Sequence, residues 1–463
     1  METNLHPGAG DEEALLERAI RRAKWRLVPF LILMYMLAYL DRANIGFAQQ
    51  AYQASTGVSN AAFAFGAGIF FIAYAIFEVP SNLMMHRVGA RVWLARIMVT
   101  WGLISAAMAY ARSDSLFSFI RFFLGAAEAG LFPGAVLYMT YWFPARARGQ
   151  IMGIFYFGSP LALMVGGPLS GMLLELDGLF GLHGWQLMFL VEGLLASLAG
   201  VWGYFYLCDR PEDAKWMPRA EAQALARALA AEERQKQQTG RMTFRAALAD
   251  PKLFHFALLY FSIQIAGYGV AFYLPTQVSA LLHVKVGLHV GLISAIPWAC
   301  AIVAGAFYPG FAVRTGYRRG FAVLSALSIA GGLAVSANTG PAAAIAALCF
   351  VTMGIMTVQP IFWTFPAAYL GGTAAAGGFA VINAIGNLGG FFAPTVRNAV
   401  EASFHSVAAG LYVLAASGVV AALLIAMLRP AQTDRRPTER RPTDRRPTER
   451  HAADSTEPLR AKI

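Results

Sequence analysis

The sequence predicts an all-α membrane protein: twelve transmembrane helices in two pseudo-symmetric six-helix bundles, with both termini cytoplasmic. Three observations predict it. First, 57% of the 463 residues are hydrophobic and 14% charged, with a mean hydropathy of +0.51; a soluble chain of this length needs far more charge to cover its surface. Second, apolar windows of about 20 residues, the length that crosses a hydrocarbon core, recur along the chain. Third, Lys and Arg concentrate in alternate segments between those windows. The 45 glycines fit the same picture, because small residues let transmembrane helices approach closely.

The elements follow in order. Residues 1–26 form an N-terminal tail in which Asp11, Glu12, Glu13 and Glu17 precede a basic cluster. It has no short apolar core and no small-residue cleavage site, so the first apolar run is expected in the mature protein. The first bundle, 27–207, holds runs at 27–47, 62–82, 93–110, 116–139, 150–173 and 187–207. A polar linker, 208–252, contains a predicted solvent-exposed helix from Arg219 to Gln238. The second bundle, 253–428, holds runs at 253–280, 287–310, 321–337, 341–363, 374–398 and 406–428. With the N-terminus cytoplasmic, 32 of the 37 Lys and Arg residues fall in cytoplasmic segments, as the positive-inside rule requires. Of the rest, Arg112, Lys285 and Arg397 are placed at outward loops, while Arg42 and Arg121 are embedded.

The halves echo each other. Arg87-Val-Gly-Ala-Arg91 follows the second run of the first half and Arg314-Thr-Gly-Tyr-Arg318 the second run of the second. Two R-x-G-x-R turns at equivalent places argue for duplication. From Thr433 the tail 429–463 repeats T-[DE]-R-R-P. It cannot bury a core and is expected to be disordered, with weak attraction to anionic lipid at most.

Composition also excludes. The net charge of +11 lies in short segments between apolar runs and in the tails, where it orients the chain in a membrane and is not arranged to grip nucleic acid. Cys208, Cys300 and Cys349 lack metal-ligand or redox spacing. No nucleophile–base set, metal cluster or phosphate-cradling loop points to an enzyme or a bound cofactor.

Charge at membrane depth costs several kcal/mol, about 2.5–3.5 on insertion scales, and usually faces a wet cavity. Tyr35, Tyr39 and Arg42 fall at i, i+4 and i+7 on the first run, with Asp41 about 100° around the helix. Asp41 is placed to neutralise its neighbour; alternatively the pair only marks the outer end of that helix. On the fourth run Arg121, Gly125 and Glu128 share one stripe, with Gly125 leaving room beside the charges. A carboxyl held there away from water suits reversible protonation; the competing role is a permanent Arg121–Glu128 brace. Glu78 and Glu192 are also embedded and open to either role. Guanidinium groups hold carboxylates and carboxylates carry protons, so the combination points to a proton-coupled carrier of small organic anions.

The second half offers polar and aromatic groups: Tyr260, Gln264 and Tyr268 on one face, Gln359, Trp363 and Thr364 near the end of the tenth run, and Asn383 and Asn387 one turn apart. These can bond a substrate or glue helices together. Its charged residues, Lys285, Arg314, Arg318, Arg319, Arg397 and Glu401, are expected at or beyond helix ends.

Several strings, in order, carry a resemblance: Tyr39-Leu-Asp-Arg-Ala-Asn-Ile-Gly-Phe-Ala48, Glu78-Val-Pro-Ser-Asn82, Val88-Gly-Ala-Arg91, Arg121-Phe-Phe-Leu-Gly-Ala-Ala-Glu-Ala-Gly130, Phe132-Pro-Gly134, Trp142-Phe-Pro144, Gly184-Trp185 and Glu192-Gly193. Outside its two tails the chain resembles the major facilitator superfamily and, within it, the anion:cation symporters that include tartrate, phthalate, 4-hydroxyphenylacetate and sugar-acid permeases. The resemblance implies bundles that rock about a midplane site, a monomer, and a multi-pass place in a bacterial inner membrane. It implies protonation at Asp41 and Glu128, substrate-carboxylate or gating roles for Arg42 and Arg121, and substrate contact at Tyr39, Tyr74, Trp363, Thr364 and Asn383. Ser159 stands where sugar-acid members can carry a longer amide. His86 stands where the wider superfamily usually has an acidic residue, so the usual gating ion pair is not carried over.

The expected activity is therefore proton-coupled uptake of a small carboxylate, with protons as coupling ion and Tyr268 added to the binding residues from its position on the seventh run. An exchanger or exporter of the same fold, or a receptor that binds without turnover, are the rivals.

Overall fold

Backbone groups inside hydrocarbon must be satisfied within the chain, so apolar runs of this length fold as helices. The computed structural model describes residues 9–238, 250–369 and 374–428. Among these residues every regular element is helical, and eleven helices are long and apolar enough to cross a membrane. The repeat tail and the end of the linker lie outside the described residues.

Before the linker run α1 (Ala9–Thr56), α2 (Asn60–Val88), α3 (Ala90–Ala107), α4 (Asp114–Glu128), α5 (Leu131–Trp142), α6 (Ala145–Tyr156), α7 (Gly158–Glu175) and α8 (Gly184–Tyr206). The linker helix is α9 (Arg219–Gln238). After it come α10 (Pro251–Leu282), α11 (Leu288–Thr315), α12 (Arg318–Ser336), α13 (Pro341–Tyr369), α14 (Ala374–Asn387), α15 (Gly389–Phe404) and α16 (Val407–Met427).

Three departures from the sequence expectations matter for the site. α1 is one helix of 48 residues, so Asp41 and Arg42 lie well inside it and do not mark its outer end. The fourth run breaks immediately after Glu128, where Ala129 leaves helical geometry and Gly130 takes a φ of +89°. The eleventh run, expected at 374–398, tightens for one turn at Leu388, which keeps helical dihedrals, and continues as α15 to Phe404, so Arg397 and Glu401 lie inside a helix. Hydropathy windows follow composition and are blind to a break that keeps both pieces apolar.

α9 occupies the predicted residues but is not free in solvent. Ala222, Ala224 and Leu225 are buried. Glu221 accepts from Arg22 at 2.9 Å, Arg227 pairs with Glu12 at 3.0 Å, and Glu232 takes both Arg148 and the Ala145 N–H at 2.9 Å. α9 is thus clasped to the start of α1 and the α5–α6 turn.

Both R-x-G-x-R glycines close their helices with positive φ, +96° at Gly89 and +74° at Gly316, a conformation that glycine adopts without a Cβ clash. The Asp209 carboxylate accepts the Arg91 N–H at 2.8 Å, and His86 meets the Tyr141 hydroxyl at 3.1 Å. The end of the bundle carrying these turns and α9 is called the basic end below.

The helices before and after α9 approach most closely at the other end. A Cβ on Gly46 would overlap the Phe272 carbonyl, one on Gly171 would overlap Gly287, and Gly167 and Gly291 would each meet the other's carbonyl. The Glu175 carboxylate also accepts the Leu288 N–H at 2.8 Å, at the start of α11. Backbone-to-backbone contact through glycine makes this seam tight.

Candidate functional site

Arg42 is the centre of the buried polar residues. Its Nε donates to Glu128 Oε1 at 2.8 Å, and its Nη2 lies 2.5 Å from the same oxygen. Nη1 donates to the Tyr268 hydroxyl at 3.1 Å. Aromatic rings form its seat: the guanidinium carbon is 5.1 Å from the Tyr74 centroid and 5.4 Å from those of Tyr39 and Phe70. Arg42 is 8% exposed and Glu128 fully buried. The arginine therefore joins α1 and α4 on one side of the linker to α10 on the other, and a planar guanidinium of this kind suits a carboxylate partner.

Asp41 does not pair with its neighbour; it accepts from Ser105 on α3. Asn44, three residues on, donates to Glu192 at 3.0 Å, and Ser170 donates to the same carboxylate at 2.7 Å. Glu192 thereby ties α1, α7 and α8 together. One oxygen each of Asp41, Glu78 and Glu128 is buried without a partner. A buried acceptor left without a donor costs about 1–3 kcal/mol, more for a charged group.

Arg121 forms no ion pair with these carboxylates among the described residues. It donates to the Gly66 and Ala67 carbonyls of α2 at 3.3 and 3.5 Å and lies 5.0 Å from the Phe70 centroid. No Arg121–Glu128 pair forms, because Glu128 turns to Arg42. The intervening Gly125 does not open space beside the charges: a Cβ there would overlap the Phe70 carbonyl. It lets the α2 backbone into the stripe, and that backbone supplies the carbonyls that hold Arg121.

Across the linker, amides replace charges. Gln359 donates to Gln264 at 3.1 Å and Gln264 to Asn387 at 3.4 Å. Gln264, Gln359 and Tyr268 line a cavity of about 30 Å³ together with Tyr39, Ser159 and Trp298, roughly the room for one or two waters. Of the predicted binding residues, Tyr39, Ser159 and Tyr268 therefore converge on it. Trp363 packs outside that lining, 5.0 Å from Tyr260 and 5.5 Å from Phe379 between ring centroids, with its indole nitrogen buried and unpartnered. Thr364 bonds its own helix at Ile361, and Asn383 donates to Glu78 at 3.1 Å. Sequence reasoning did not single out Trp298; a tryptophan in an apolar run carries no signal of which face it takes.

The second half does contain buried charge, contrary to expectation. Arg397 is 3% exposed, donates to Glu401 at 2.6 Å, and stands 3.7 Å from the Tyr273 centroid. A further cavity, about 710 Å³, lies at the basic end between Arg91, Asp209, Glu212 and Lys215. Both signs of charge line it, and none of the predicted site residues does.

The profile described as Major Facilitator Superfamily matches residues 31–394. The chain is 47% identical over 425 residues to the inner membrane transport protein RhmT of Escherichia coli K12, covering 91% of this chain and 98% of that one. It is 41% identical over 412 residues to a protein of Agrobacterium vitis named "Putative tartrate transporter", with 89% and 91% covered. Among solved structures it resembles that of a D-xylose-proton symporter, with a TM-score of 0.70 at 16% identity over 88% of this chain and 99% of that one. At that identity the likeness speaks for the fold.

Proposed function

The chain belongs to the major facilitator superfamily, and from that premise we propose that it takes up a small organic carboxylate together with protons across a bacterial inner membrane. Twelve spans in two six-helix bundles, 27–207 and 253–428, with the basic end and both termini in the cytoplasm, complete this reading. The tight glycine seam at the opposite end then corresponds to closure toward the outside.

One observation carries it: the Arg42 guanidinium is buried at the junction of the halves and held by a carboxylate on one side and a phenol on the other. A fixed cation whose counter-ion can be neutralised is the simplest device for coupling an anion to a proton. With the site open outward, a proton on Glu128 removes its claim on Arg42. The cargo's carboxylate then takes the guanidinium through charge-assisted hydrogen bonds. Asp41, its second oxygen free, takes a proton by the same logic. The loaded site crosses the occluded state with its charges compensated. On the inside the protons leave and Glu128 reclaims Arg42. Tyr39, Ser159 and Tyr268 line the cavity, and Tyr74, Trp363, Thr364 and Asn383 are assigned to the cargo as the site opens around it. Arg121, pinned to α2 carbonyls, keeps a positive potential beside the carboxylates.

The test is uptake by proteoliposomes, acidic outside, of tartrate, phthalate, 4-hydroxyphenylacetate and a sugar acid, with and without a protonophore. Protonophore-sensitive accumulation of one acid is expected. Exchange without accumulation would replace symport by an exchanger. Glu128→Gln is expected to abolish accumulation driven by the pH gradient while sparing exchange; unchanged accumulation would remove Glu128 from the coupling.

A further inference from the structure

Side-chain hydrogen bonds join the two halves at several depths. Gln50–Ser279 and Glu175–Leu288 lie toward the glycine seam, and Arg42–Tyr268 lies near the middle. Glu78–Asn383 lies nearest the basic end, about ten residues from the close of α2 and from the start of α14. Glu78 is an odd residue to find there. It is 7% exposed, its Oε2 is buried without a partner, and no Lys, Arg or His nitrogen comes within ion-pairing distance of it among the described residues. Burying a carboxylate costs several kcal/mol, while one hydrogen bond to it returns about 1.5–3. The Asn383 bond therefore does not explain the residue as a brace.

Its position explains more. Tyr74 and Glu78 are one turn apart on α2 and share a face, and Tyr74 is part of the Arg42 seat. Asn383 and Asn387 are likewise one turn apart on α14, and Asn387 ends the amide chain that runs through Gln264 and Gln359. Glu78 thus presents a carboxyl oxygen to an amide donor of the second half, one turn from the Tyr74 that helps seat Arg42.

We propose that Glu78 is a built-in stand-in for the cargo: in the empty protein its carboxylate holds the Asn383 amide, and an arriving substrate oxygen must displace it. This rests on the organic-anion reading and on Asn383 facing the cargo. Displacement breaks a bond between the halves toward the basic end, so cargo binding also releases a latch there. An anionic cargo adds like-charge repulsion to the displacement, which drives Glu78 away from the amide as the site fills.

Competition predicts an unusual sign. Binding of the panel acids to purified protein in detergent is measured at fixed pH, using whichever acid the wild type exchanges in proteoliposomes. Glu78→Ala is expected to bind that acid about tenfold more tightly, the equivalent of one freed charge-assisted hydrogen bond. The gain is expected to vanish when Glu78→Ala is made in an Asn383→Ala background. Glu78→Gln, which preserves shape, is expected to shift affinity the same way by less, and carries the test if the alanine variant does not remain monodisperse. Weaker or unchanged binding in the Glu78 variants, or an equal gain without Asn383, overturns the proposal while leaving the transport reading intact. A wild type that exchanges none of the acids removes both.

Discussion

The helices before the linker and those after it solve different problems with the same fold. The first half buries Asp41, Arg42, Glu78, Arg121, Glu128 and Glu192. The second meets them with phenols and amides: Tyr268 on Arg42, Asn383 on Glu78, and the Gln359–Gln264–Asn387 chain behind. Its buried ion pair, Arg397–Glu401, is formed within a single helix and stacks on Tyr273. A half that buries charge and a half that presents neutral donors and acceptors can be tuned separately. On the proposed mechanism, the charges would set proton coupling and the amides and rings would set the cargo.

The largest expected effect breaks the comparison at its centre. Arg42→Ala leaves Glu128 buried without its cation and, on the proposed mechanism, removes the group that would take the cargo's carboxylate. Uptake is expected to fall by about 100-fold or more, since two charge-assisted bonds are lost. Stability in detergent is expected to fall by about 3–5 kcal/mol, the usual cost of stranding one partner of a buried pair. Adding Glu128→Gln should recover much of that stability and none of the uptake. If the double variant regains transport, the charge of the first half is not what holds the cargo.

A second prediction concerns the seam where the halves meet. A Cβ on Gly291 would overlap the Gly167 carbonyl, and overpacking of this kind costs about 1–3 kcal/mol. Gly291→Ala is expected to shift the population away from the form closed at that end by about 5- to 150-fold. The readout is labelling of a cysteine placed at Ser279, which is buried at the seam, in a background without Cys208, Cys300 and Cys349, by a membrane-impermeant thiol reagent. Faster labelling supports the seam as the outer gate; unchanged labelling means the halves tolerate the methyl and the closure lies elsewhere.

What could be read beforehand, and what could not, divides along a physical line. Residue types at membrane depth are visible in sequence, so Asp41, Arg42, Arg121 and Glu128 stood out, as did the turn glycines Gly89 and Gly316. Partners are not visible. Helical spacing says that Arg121 and Glu128 share a stripe, but not what packs against it. The α2 backbone enters at Gly125, Arg121 takes its carbonyls, and Glu128 finds Arg42 from 86 positions away. Arg397 looks like a loop residue in the sequence because the apolar run fades there, whereas α15 continues to Phe404. α9 reads as solvated because an Ala-rich helix with a weak apolar stripe looks the same whether or not something docks on it.

Arg397 gives the third prediction and tests whether charge in the second half takes part in coupling. Arg397→Gln removes the cation of a pair whose carboxylate is 25% exposed, so water softens the loss. Stability is expected to fall by about 1–3 kcal/mol, with the ratio of protonophore-sensitive to total transport unchanged. A change in that ratio would place proton chemistry in both halves and undo the division drawn above.

The smallest effect is expected at the linker helix, and it tests where the first half ends. Glu232 binds Arg148 and the Ala145 N–H, both at the α5–α6 turn, so α9 is fastened to the first half. Glu232→Gln keeps an amide oxygen for the Ala145 N–H and loses the charge opposite Arg148. An ion pair near the surface is worth about 0–1 kcal/mol, so the melting temperature should drop slightly at low salt and match the wild type at high salt, with uptake unaltered. A loss of uptake at wild-type stability would give α9 a different standing. It would then be a moving part, its clasp released and remade as the halves rock, and the first half would include a regulatory element outside its membrane-spanning helices.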